Sequence, residues 1–148
     1  MNKNESPEVL LSSFIAGMEW GKLPEEAINT SKNVVLDTFG VALAGSKEDL
    51  GEILPGVVKE MGGRPVSGVI GKGFRTSPPL AALINGTLAH ALDFDDVNDN
   101  WIGHPSTVLV PALFAVAEKC GSSGKDIITA YITGFEVGAK LGMVFRQG

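Results

Sequence analysis

Residues 78–120 read PPLAALINGTLAHALDFDDVNDNWIGHPSTVLVPALFAVAEKC. Two apolar, proline-led stretches flank a polar middle. Ser77-Pro78-Pro79 supplies a helix start, and apolar residues then recur from Leu80 to about Leu92. A second helix is predicted over roughly Pro105 to Lys119, with Pro111 disturbing its first turns and Gly121 closing it. Between them, His90 to Ser106 holds both histidines of the chain and four of its seventeen acidic residues. The unit is a helix, an acidic loop and a helix.

The same reading extends outward. Leu10, Phe14 and Met18, with Leu11 and Ile15, form a stripe at helical period in a helix over Pro7 to Trp20. Pro24-Glu25-Glu26 opens a second helix, with acids at the positive end of its dipole, which runs to about Leu43 and ends near Gly45. Ser46-Lys47-Glu48-Asp49 fits a capping box for a third helix, which Pro55 kinks or splits and Gly62-Gly63 ends. Pro65 to Ile70 is β-branched and bounded by glycines, and reads as one short extended segment.

Ser123 and Asp126 form another capping box, opening a last helix from Lys125 to about Phe145. Gly134, Gly138 and Gly142 share one face of it. Each costs about 1 kcal/mol of helix propensity against alanine, which close approach of another helix would offset. Glu136 and Lys140 between the glycines exclude a membrane dimer motif. The fold class is all-α.

Composition narrows the function. Hydrophobic residues are 44% of 148, enough for a core, and the net charge is −5. That balance excludes a nucleic-acid binder and an anionic membrane surface as partners. The lone Cys120 cannot form an internal disulfide and is expected to be a small buried residue. No leader is visible in MNKNESPEV, and the longest strongly apolar run, Thr107 to Ala117, is shorter than the ~20 residues of a spanning helix. Both point to the cytoplasm.

Four chemistries are weighed first, three of them on the acidic loop. An EF-hand starting at Asp96 places Trp101 where glycine is needed and Thr107 where glutamate is needed, so calcium fails. His90, Asp93 and His104 could hold iron or zinc, but the tight His-x-x-x-His or Cys-x-x-Cys spacing is missing. Gly71-Lys72-Gly73 continues to Thr76 instead of a third glycine, and reads as a turn. Ser106 sits too near His104 in sequence to be its nucleophile and reads as a helix cap.

The remaining chemistry is acid–base work. Histidine titrates near neutrality, and an aspartate within reach orients its ring. Asp93 at the start of the loop and His104 at its end could meet across the bend. The plain alternative is that aspartates make turns and His104 caps a helix. On residue chemistry alone, the plain alternative stands slightly ahead.

The segments NGTLAHALDFDD, GHPS and PALFAVAEKCGSSGKDIITAYITGFEVGAKL, within Leu83 to Leu141, resemble the MmgE/PrpD family, best known for 2-methylcitrate dehydratase. LDTFGVALAGS (Leu36–Ser46) and TSPPLAALINGT (Thr76–Thr87) agree more loosely. The resemblance implies a large helical domain with a smaller α+β lid, a homodimer, and a site between the domains. It implies a lyase of small polycarboxylates that needs no metal or organic cofactor. The reactions are dehydration of 2-methylcitrate, decarboxylation of cis-aconitate or epimerisation of iminodisuccinate.

By position, the resemblance makes Asp93 and His104 the catalytic pair, either of which could be the base. It makes His90, Asp96 and Ser106 substrate contacts. Val97 stands where relatives carry threonine, and the loop from Asp96 to His104 is slightly longer than in some members. Residues 1–148 would be the leading portion of the helical domain, without its later helices and the lid. On that expectation the chain alone turns over no substrate. The rival reading is a non-catalytic helical module serving self-association.

Overall fold

The computed structural model describes residues 6–146, and among these are six α-helices, a short 3-10 turn at Trp20–Lys22 and one tiny hairpin. Helix α1 spans Pro7–Ala16, α2 Glu25–Gly45, α3 Asp49–Met61, α4 Pro78–His90, α5 Pro105–Cys120 and α6 Gly124–Arg146. Strands β1 (Ser67–Gly68) and β2 (Arg75–Thr76) pair antiparallel. The expected all-α class is therefore found, with one addition. The extended segment has a partner strand, because Gly71 and Gly73 take positive φ and turn the chain back. Buried Asn85 on α4 holds this hairpin: its Oδ1 accepts from Ile70 N at 2.9 Å and its Nδ2 donates to Gly68 O at 2.9 Å.

The core collects Ala42 of α2, Val58 of α3, Val69 of the hairpin, and Ile84, Leu88 and Ala89 of α4. Small residues bring these helices together. A Cβ on Gly45 would overlap the Leu88 carbonyl, so α2 lies directly on α4. A Cβ on Gly86 would stand 2.9 Å from the Thr107 carbonyl, and Thr107 Oγ1 donates to Gly86 O at 2.8 Å. That close contact ties α4 to α5 just below the acidic loop.

Several local expectations change. Ser46 does not cap α3: it is buried, and its hydroxyl donates to Leu43 O at 2.7 Å. Glu48 takes the N-cap position instead. Pro55 sits inside an unbroken α3, which persists because Leu54 and Val58 pack on the core. Helix α1 stops at Ala16, and its stripe is at most half-buried. Cys120, expected inside, is exposed in the last turn of α5.

Asp126 and Ser123 do form the predicted reciprocal cap on α6. Ser123 N and Oγ donate to Asp126 Oδ2 at 2.8 Å, and Asp126 N donates to Ser123 Oγ at 3.3 Å. The backbone donor, then the hydroxyl, holds the Asp126 carboxyl below its usual value. Helix α6 is long and apolar enough to cross a membrane by length and composition, which the shorter apolar run was not. Here it buries Ile128, Tyr131, Thr133 and Gly142 and packs on α5 and α2.

Candidate functional site

His90 ends α4 and Pro105 begins α5, so the acidic loop is strung between two fixed posts. Asp93 turns the chain by adopting φ 56°, a left-handed conformation that aspartate tolerates better than most residues. Its N–H donates to His90 O at 3.1 Å and closes the helix end. The reversal turns Asp95 inward, where its side chain is 1% exposed, and leaves Asp93 outside at 77%.

Farther on, the loop folds on itself. Asn98 and Gly103 form an isolated antiparallel bridge, and Asn98 Oδ1 accepts from the N–H groups of Asn100 and Trp101. Trp101 Nε1 donates to Phe135 O on α6 at 2.9 Å, and Arg146 Nη1 donates to Asp99 O at 3.3 Å. The glycine face of α6 receives this knot: Gly138 faces the Trp101 ring, Gly142 faces the Asn100 backbone, and Gly134 faces Leu109 of α5. The expected close approach is real, but the loop supplies most of it.

Asp93 and His104 are brought together, with Asp93 Oδ1 3.8 Å from His104 Nε2. His90 joins them, its Nδ1 4.0 Å from Asp93 Oδ1. The two imidazoles meet edge to face, 4.6 Å apart at 66°. Asp95, which the sequence reading passed over, makes the shorter contacts. Its Oδ1 is 2.9 Å from His90 Nδ1 and its Oδ2 is 3.1 Å from His104 Nδ1. The first is a hydrogen bond; the second has the distance but not the alignment of one. The alternation of Asp93 and Asp95 was the available signal, but burial of one and exposure of the other depends on the turn at Asp93.

Asp96 and Ser106 bond to each other rather than to the histidine cluster. Asp96 Oδ1 accepts from Ser106 N at 3.1 Å, and Oδ2 accepts from Ser106 Oγ at 2.6 Å. Asp96 thus caps α5 from outside, where a carboxylate meets the positive end of the helix dipole. Ser106 is buried at the second position of α5, so it is not the cap itself. Its hydroxyl also meets the Tyr131 hydroxyl at 2.8 Å. Burial pushes the Tyr131 phenol up, the Ser106 contact offsets part of this, and the Asp96 charge adds to the rise.

His90, Asp93, Asp95 and His104 each offer one donor atom, all within 4.8 Å of one another, a set that could receive a divalent cation. A cavity of about 750 Å³ lies elsewhere, between Phe39, Val110 and Phe114. Its one acid, Glu118, is committed to Arg75 at 3.1 Å and Gly68 N. The histidine cluster opens to the surface, and His90 also lines a groove of about 420 Å³ with Leu83, Thr87 and Thr107. Proton chemistry needs titratable groups that converge, and the cluster has them.

A family profile described as MmgE/PrpD N-terminal domain matches residues 9–147. Cis-aconitate decarboxylase of Homo sapiens is 34% identical over 137 residues, covering 88% of this chain and 28% of that protein. The mouse (Mus musculus) cis-aconitate decarboxylase is 31% identical, with the same coverage. The cis-aconitate decarboxylase-like protein oryM of Aspergillus oryzae is 30% identical over 139 residues, 89% of this chain and 29% of that protein. The chain thus spans less than a third of the length of these curated relatives.

Proposed function

We propose, from the premise that this chain belongs to the MmgE/PrpD family, that it forms the N-terminal helical portion of a lyase acting on a small polycarboxylate. Cis-aconitate is the first substrate to test, because the matched relatives carry that name. Dehydration of 2-methylcitrate is the second, on the strength of the AHALDFDD and GHPS segments.

The observation that carries the reading is the 3.8 Å approach of Asp93 Oδ1 to His104 Nε2. Loss of CO2 leaves an electron pair beside a carboxylate, and an acid must supply a proton there. Loss of water needs a base to remove a proton at such a carbon. Either way, one group must hold a proton at the reacting carbon, and an imidazole steadied by a carboxylate does so near neutrality. Asp93 is exposed enough to touch a substrate, and His104 stands behind it.

Charge sets the limit of this portion. Asp93, Asp95, Asp96 and Asp99 repel a polyanion, and the ion pairs of the cluster contain no lysine or arginine. The intermediate needs cations or hydrogen-bond donors, which are usually the largest catalytic contribution. In this reading they come from the more than two-thirds of its relatives' length that the chain does not span. Leu36, Met61, Phe94 and Phe145 stand exposed, surface for the remaining fold and for the second copy of a homodimer to cover.

The test is turnover of cis-aconitate and 2-methylcitrate by a chain extended to the length of its relatives, followed by NMR of the products. Asp93→Asn and His104→Ala should each lower kcat by roughly 10²-fold or more. Full activity in both variants defeats the assignment. Absence of turnover on both substrates favours a non-catalytic helical module.

A further inference from the structure

We infer that Asp95 is the positioning residue of the cluster: one buried carboxylate fixes the tautomer of both histidines and leaves each Nε2 free to carry the proton. This rests on the acid–base reading above for its consequence in turnover, but not for its geometry. Asp95 touches both Nδ1 atoms, at 2.9 Å and 3.1 Å, while its side chain is 1% exposed. Its neighbours are committed otherwise, Asp96 to the head of α5 and Asp93 to the helix end and the surface.

The chemistry follows from counting donors. An ionised carboxylate only accepts, and a neutral imidazole has a single N–H. Each ring that faces Asp95 through Nδ1 is favoured with its hydrogen there, which places the lone pair on Nε2. Free imidazole prefers the opposite tautomer, so the effect is visible against the default. The carboxylate gains as well. Among the described residues Oδ2 has no hydrogen-bond partner, and the His104 Nδ1 beside it has none either. A buried carboxylate oxygen without a donor is costly, so a small rotation of the His104 ring to donate at 3.1 Å satisfies both atoms.

Two rings on one acceptor also share one compensating charge. When His104 or His90 takes a proton from a substrate, the imidazolium formed still faces Asp95, and no new charge must be buried unpaired. His104 Nε2 then points to Asp93 Oδ1, 3.8 Å away, on the exposed side. The cluster has an inner carboxylate that orients and an outer one that can meet substrate.

The experiment uses the 148-residue chain itself, labelled with 15N histidine and treated with chelator. Its only two histidines are the two in question, so His90→Gln alone assigns both spectra. On the high-pH plateau, two-bond 1H–15N correlations should show both rings as the Nδ1–H tautomer. Asp95→Asn offers one acceptor and one donor in place of two acceptors, so one ring should switch to Nε2–H. Nε2–H signatures in both wild-type rings overturn the proposal, and this reading needs no variant to fold. Unchanged tautomers in a folded Asp95→Asn protein overturn it too. In the extended enzyme the same variant should lower kcat on the order of 10²-fold with little change in KM. Switched tautomers with full turnover would leave Asp95 as the positioning group and reject the acid–base reading.

Discussion

The indole of Trp101 occupies the space where a side chain on Gly138 would stand, and its Nε1 donates to Phe135 O of the same helix at 2.9 Å. The acidic loop is therefore anchored on α6 through an absence of side chains. The anchoring also holds His104, three residues later, on its side of the cluster.

Alanine at Gly138 or Gly142 should destabilise the protein, although alanine is the better helix former by about 1 kcal/mol. Overpacking should cost on the order of 1–3 kcal/mol. The loss is larger at Gly142, where the Asn100 backbone is struck, than at Gly138, where a ring can shift. Gly134→Ala meets only the tip of Leu109, 3.0 Å away, and should be neutral or mildly stabilising. Urea midpoints of the three variants give the ranking, and equal midpoints would contradict it.

Tyr131 is the sole tyrosine, so phenolate absorbance reports it directly. Burial should put its titration above the ordinary value of 10.0. Ser106→Ala removes the hydroxyl that lowers it, and should move the midpoint further up. The raised value means that the folded state holds the proton more tightly. Its contribution to stability is full below the unfolded value and is lost as pH rises through the folded one. A midpoint at or below the ordinary value would refute the packing of Tyr131.

Ile102 adopts φ 56° while exposed. A β-branched residue there is strained by roughly 1–2 kcal/mol. Ile102→Asn relieves the strain, because asparagine tolerates the left-handed region, and should stabilise by about 1 kcal/mol. A thermal melt decides this. A lowered Tm would show that the Ile102 side chain contributes packing not visible as burial.

In the extended enzyme, turnover should survive exhaustive chelation. The four donors around His90 and His104 do offer a cation a place. Activity abolished by chelator and restored by stoichiometric zinc or iron would make the cluster a metal centre and displace the acid–base mechanism.

Helices α2, α5 and α6 were legible because their signals are local. Proline or a capping pair starts each one, glycine lies at or beside the end of α2 and α5, and the period of apolar residues fills the interior. Ser46 shows where this fails. Its hydroxyl had two possible partners, and burial at the α2–α3 corner gave it to Leu43. The hairpin partner Arg75–Thr76 was illegible because two residues carry too little periodicity.

In the site, Asp93 and His104 were named by position from the family resemblance, and one loop carries both, so their meeting needed only a bend. Asp95 could not, since nothing in DFDD says which aspartate turns inward. Nor could Asp96 and Ser106 be separated from the cluster without the position of Tyr131, 25 residues farther on.

The sequence by itself determined the helical class, most helix limits, the family and the loop that carries the chemistry, since these depend on neighbours along the chain. Only the tertiary structure decided which carboxylate is buried between the two imidazoles, which caps α5 and which faces outward. Those roles depend on the approach of α4, α5 and α6, and burial is a property of what the folded chain brings near, which spacing does not encode.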